Sequence, residues 1–132
     1  MENLDARIHQ YSYEMVKDGH SEVLNLIDKA LGVLANDGVY AYYVYCKSKN
    51  KKSKDKNENN LVERIFIKGI VDEFGETFGF DRNSKNGENR YEHFFSNLSK
   101  DIHSLLFFKE IVERILIYAR YHAKAIGEHD GE

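Results

Sequence analysis

Six lysines, Lys47, Lys49, Lys51, Lys52, Lys54 and Lys56, follow directly on four tyrosines, Tyr40, Tyr42, Tyr43 and Tyr45. Stacking rings beside phosphate-neutralising cations are the chemistry that holds single-stranded nucleic acid without regard to sequence. Against Asp55 alone, the six lysines give +5 over 47–56; the whole chain carries −3, so the remainder carries −8. That asymmetry points to a local site for an anionic partner, with a solvated lysine loop as the competing reading. Lysine acts on phosphate as a mobile point charge and reads no base. If all six touched a single-stranded backbone, the log–log slope of affinity on salt would approach about −4. A second, smaller basic grouping is Arg114, Arg120 and Lys124, of which Arg120 and Lys124 stand one helical turn apart on one face.

Residues for bond-making chemistry do not assemble into a motif. There is no glycine-rich phosphate loop, no HExxH and no EF-hand pattern. The six histidines, His9, His20, His93, His103, His122 and His129, are scattered, and no two share i, i+3 or i, i+4 spacing. Neither a metal site nor a cofactor is expected from them. Helical ribonucleases of the HEPN type carry an Arg and a His separated by four to six residues on one helix. Here Arg114 and His122 have seven residues between them, and Arg90 and His93 have two. Arg114 and His122 also stand about 12 Å apart in helical rise, too far to share one phosphodiester. Cys46, the single cysteine, excludes an internal disulfide and a Cys-pair zinc site, and reads as a small buried side chain. No catalytic residue is expected.

The elements that must position the basic residues read as helices. Leu4, Ile8, Tyr11 and Met15 predict an amphipathic helix over about 3–18, stopped by Gly19. Val23, Leu24, Ile27, Ala30, Leu31 and Leu34 predict a second over about 22–35, broken by Asn36-Asp37-Gly38. VYAYYVYC, 39–46, has strand propensity but no apolar partner strand nearby, and is read as a helix with at least two of its tyrosines in the core. Residues 48–60, nearly all Lys, Asn, Ser and acids, predict a mobile loop. Val62, Phe66, Ile70, Phe74 and Phe78 repeat every four residues and predict a helix over about 61–78. Gly69 and Gly75 weaken it by about 1 kcal/mol each, a cost compatible with close approach of a neighbour. After a polar stretch over 79–89, Asn89 and Glu92 have capping-box spacing ahead of a short helix with Tyr91, Phe94, Phe95 and Leu98. A last helix spans about 102–126, and Gly127 and the acidic end are expected to fray. The expected fold is a compact all-α, single-domain bundle of about six helices over 1–132.

Composition bounds the rest. A chain of 132 residues suits one domain and can bury roughly two thirds of its unfolded surface. No run of 18 uncharged apolar residues occurs, so no membrane span is expected. The charged start, MENLDARIHQ, has no apolar h-region, which with the lone cysteine leads to the expectation of a cytoplasmic protein.

The chain resembles the small helical subunit of the type III-B CRISPR RNA-silencing (Cmr) complex. One carrier of the likeness is LIDKALGVLANDGVYAYYVYCKSK, 26–49: a helix, an Asn-x-Gly-type turn, an apolar helix with Tyr45 near its end, and Lys-Ser-Lys. A second is YARYHAKAI, 118–126, an aromatic and basic close followed by Ala-Lys-Ala. Size and helical layout are the third. The chain departs from the pattern in the extra aromatics Tyr40, Tyr42 and Tyr43, in His122 where an aromatic is usual, and in its net acidity. The resemblance implies a non-catalytic antiviral-defence subunit that stacks on copies of itself along crRNA and target RNA. Its partners would be the large polymerase-like subunit and the RAMP backbone subunits, with target cleavage belonging to the latter. By position, Lys47, Lys49, Arg120 and Lys124 match the family's basic residues and are the expected RNA-backbone contacts; Lys51, Lys52 and Lys54 join them on local charge alone. The competing readings are the small subunit of the type III-A complex, a helical protein–protein adaptor without nucleic acid, and a helical nuclease.

Overall fold

A computed structural model of the chain describes residues 3–49, 61–81, 83 and 89–130. Among these residues there are six helices and no strand, the all-α bundle the periodicity predicts. Helix α1, Leu4–Val16, is capped by Asn3, whose side-chain oxygen accepts the Ala6 N–H at 2.7 Å. Gly19, at φ 68°, turns the chain after it. Helix α2, Ser21–Asp37, buries Val23, Leu26, Ile27, Ala30 and Leu34. Gly38 then serves two helices at once. Its N–H closes α2 on the Leu34 carbonyl, and its carbonyl opens α3, Val39–Ser48, by accepting the Tyr42 N–H at 3.0 Å. That corner requires φ 97°, a conformation open to glycine and strained for other residues.

Helix α3 settles the ambiguous block. Val39, Tyr42, Tyr43 and Cys46 are buried at i, i+3, i+4 and i+7, so helical packing overrides the strand propensity of Val and Tyr. Helix α4 runs over 61–74 in three joined parts: an α turn Leu61–Glu63, a π-helical stretch Arg64–Lys68 and an α segment Gly69–Phe74. The wide turn is closed by the Gly69 N–H on the Arg64 carbonyl. Two tyrosine hydroxyls then donate to carbonyls within it, Tyr11 to Ile65 at 2.6 Å and Tyr42 to Phe66 at 2.7 Å. A Cβ on residue 69 would lie 2.2 Å from the Tyr11 hydroxyl, so Gly69 is what admits α1 this closely.

Three boundaries differ from the sequence reading. The expected helix over 61–78 stops at Phe74, followed by a single 3₁₀ turn, Glu76–Phe78. The reason lies at Gly75, where a Cβ would meet the Val71 carbonyl at 2.5 Å and Phe80 Cβ at 3.0 Å as the chain folds back to bury Phe80. Helix α5, Asn89–Leu98, begins at Asn89 itself, one residue earlier than the cap spacing predicts, and Glu92 reaches Tyr40 of α3. Helix α6, Ile102–Asp130, continues through Gly127 rather than fraying there. Asp101 receives the His103 N–H and the Ser104 hydroxyl at its start.

One hydrophobic cluster joins the described helices. Its α3–α5–α6 part is aromatic: Tyr43 stacks on Phe95 with centroids 4.4 Å apart, and Phe94, Phe95 and Phe108 meet edge to face. Each such ring, fully buried, contributes about 2–3 kcal/mol. Its α1–α2–α6 part is mostly aliphatic, with Ile8, Val16, Val23, Ile115 and Leu116. None of the described helices is long and apolar enough to cross a membrane.

Candidate nucleic-acid interface

Lys47 lies in the last turn of α3 and Lys49 caps its end, on a helix fixed from beneath. The Tyr42 hydroxyl is tied to the π turn, and Cys46 is fully buried, which pushes its thiol up to about 12. Lys47 Nζ donates to the Tyr43 hydroxyl at 3.4 Å and lies 5.5 Å from that ring's centre. Lys49 Nζ lies 4.7 Å from the Tyr45 ring centre. Each lysine thus folds back over the aromatic four residues before it, and both are exposed. Being two residues apart, they leave the helix on opposite sides rather than as one strip. Cations in a last turn also complement the negative end of the helix dipole, so the fold itself gains from them.

A carboxylate missed by charge counting sits beside Lys47. Glu92 of α5 accepts the Tyr40 hydroxyl at 2.7 Å. Tyr40 and then Tyr43, with Lys47 adding its charge, hold Glu92 below the usual carboxylate range. Burial first, and then Glu92, push the Tyr43 hydroxyl up. The pairing crosses 52 residues, and no local spacing announces it.

The second grouping differs. Arg120 on α6 is paired with Asp28 of α2 at 3.2 Å, both side chains largely exposed. Lys124, one turn on, is exposed and makes no ion pair among the described residues. Arg114, in the same sequence grouping, faces α1 and pairs with Asp5 at 2.5 Å. No hydrogen bond or ion pair among the described residues joins the Lys47–Lys49 end to Arg120 and Lys124. Lys51, Lys52 and Lys54, and the expected loop from residue 50 on, lie outside the described residues.

The arrangement can offer ammonium and guanidinium groups to phosphate. Among the described residues no three of His, Cys, Asp and Glu gather to hold a metal. It does assemble one feature that local spacing could not reveal: a parallel seam between α1 and α6. Asp5 meets Arg114, His9 meets Tyr118 and His122, and Tyr13 meets His122. Each step advances four residues on both helices, so the partners keep register over two turns. Comparisons with protein-family models, curated proteins and solved structures give no match.

Proposed function

We propose that the chain is a non-catalytic subunit of an RNA-guided type III-B CRISPR effector, acting in the cytoplasm and contacting the phosphate backbone of crRNA and target RNA. The observation that carries this reading is the pair of exposed lysines closing α3, presented by a helix whose other face is buried. Lys47 and Lys49 supply the first contacts, Lys124 and Arg120 a second set, and Lys51, Lys52 and Lys54 extend the first. Ile102, Leu106, Phe107, Ile117 and Tyr121 of α6 are exposed, and such residues suit packing against neighbouring subunits. Target cleavage falls to the backbone subunits in this reading.

The deciding experiment is a native pull-down from the source cells with identification of co-purifying protein and RNA. Recovery with a polymerase-like large subunit, repeat-fold backbone subunits and a processed guide RNA is the expected result. A stable homodimer with no RNA affinity at low salt would sink it in favour of an adaptor. Recovery with type III-A components would move the subunit to that complex.

A further inference from the structure

His9 and His122 are separated by 113 positions, yet their ring centres lie 4.8 Å apart across the α1–α6 seam. Two imidazoles on one tetrahedral or square-planar ion, with metal–nitrogen bonds of about 2.0–2.1 Å, hold their ring centres roughly 4.5–5.2 Å apart. The observed separation falls inside that range. Nε2 of His122 is buried and has no hydrogen-bond partner among the described residues. A buried imidazole nitrogen without a protein partner is free to bond a water or an ion. The Tyr13 ring also packs on His122, with centroids 5.6 Å apart.

We propose that His9 and His122 are the two protein nitrogens of a site for a borderline divalent transition ion of the Zn²⁺, Ni²⁺ and Cu²⁺ class. Imidazole favours these ions, whereas Mg²⁺ and Ca²⁺ seek oxygen cages. No third His, Cys, Asp or Glu joins the two histidines among the described residues, so the remaining positions are open to water or to a donor from a bound partner. An ion here would clip the first helix to the last. The proposal is independent of the RNA reading.

The test uses the full chain stripped with EDTA, then titrated with ZnCl₂, CuSO₄ or MgCl₂ alone. At about ten times its dissociation constant, Zn²⁺ should raise the melting temperature by about 3–5 °C, reversed by EDTA, with no response to Mg²⁺. Cu²⁺ should give an electron paramagnetic resonance spectrum with two coupled nitrogens. His9→Gln and His122→Gln should each remove the thermal shift and leave one coupled nitrogen, while His103→Gln should change neither. Because His9 is exposed, His9→Gln folds even if His122→Gln does not. Equal responses in wild type and His9→Gln, or no response to Zn²⁺ and Cu²⁺, would overturn the assignment.

Discussion

The two basic edges differ in what restrains their charges. At the end of α3, Lys47 and Lys49 rest on tyrosine rings, with Glu92 acting on Lys47 from a neighbouring helix. On α6, Arg120 is already spent on Asp28, and Arg114 on Asp5. A cation over a ring can still turn toward phosphate at little cost, whereas an arginine in an ion pair must exchange one anion for another. Positive residues counted from sequence are therefore unequal as contacts for an outside anion.

The largest break in this comparison lies beneath α3. Tyr42→Phe leaves the buried Phe66 carbonyl without its hydroxyl donor and should destabilise the fold by about 1–3 kcal/mol, read by urea unfolding. If stability were unchanged, α3 would not be the fixed platform described. Next in size, Lys47→Ala with Lys49→Ala should weaken single-stranded RNA binding about tenfold and reduce the salt slope by about 1.4. An unchanged slope in fluorescence anisotropy would remove both from the interface. Arg120→Ala should cost about twofold to threefold, less than the lysine pair because its charge is already engaged. Asp28→Asn should strengthen binding by freeing Arg120; if it weakens binding, the ion pair organises the edge instead of masking it.

The smallest effect concerns Glu92. Its folded pKa lies below the ordinary value of 4.5, so the stability it adds is present above that value and is lost as pH falls through the folded one. Glu92→Gln should make the acid-side decline in melting temperature, from pH 5 toward pH 3, shallower by about 1–2 °C. The same change should raise RNA affinity slightly by removing a negative charge beside Lys47. An identical acid decline in both proteins would show that the Tyr40–Glu92 contact adds nothing.

Helices were legible because their apolar spacing is local. Ile8, Met15 and Val16, or Ile111, Ile115 and Ala119, announce their faces within a few residues. The halt at Phe74 was less legible, because it depends on Phe80 folding back over Gly75. Glu92 was hidden for a similar reason: its spacing from Asn89 fits a cap, while its true partner, Tyr40, is far away in sequence. His9 and His122 show the limit most plainly, since searching for histidines three or four apart cannot find a pair built by two helices. One overlooked signal was local. Val62, Phe66, Ile70 and Phe74 are all buried, yet a strict four-residue repeat drifts by about 40° per step on an α-helix. A wider turn absorbs that drift, and the π stretch Arg64–Lys68 lies in the middle of the repeat.

That wide turn amounts to one surplus residue stored in the backbone. Removing a residue from 64–68 would let the turn close into ordinary α geometry while the residues after it keep their facing, because the wide turn already absorbs the extra residue. Ile70 and Phe74 would keep their places, while Tyr11 and Tyr42 would lose the carbonyls they hold to ordinary i→i−4 bonding. The same deletion in a plain α stretch would turn every later residue of the helix by about 100° and carry Ile70 and Phe74 off the core face. The surplus residue between Leu61 and Phe74 is thus what frees two backbone carbonyls to anchor the tyrosines of α1 and α3.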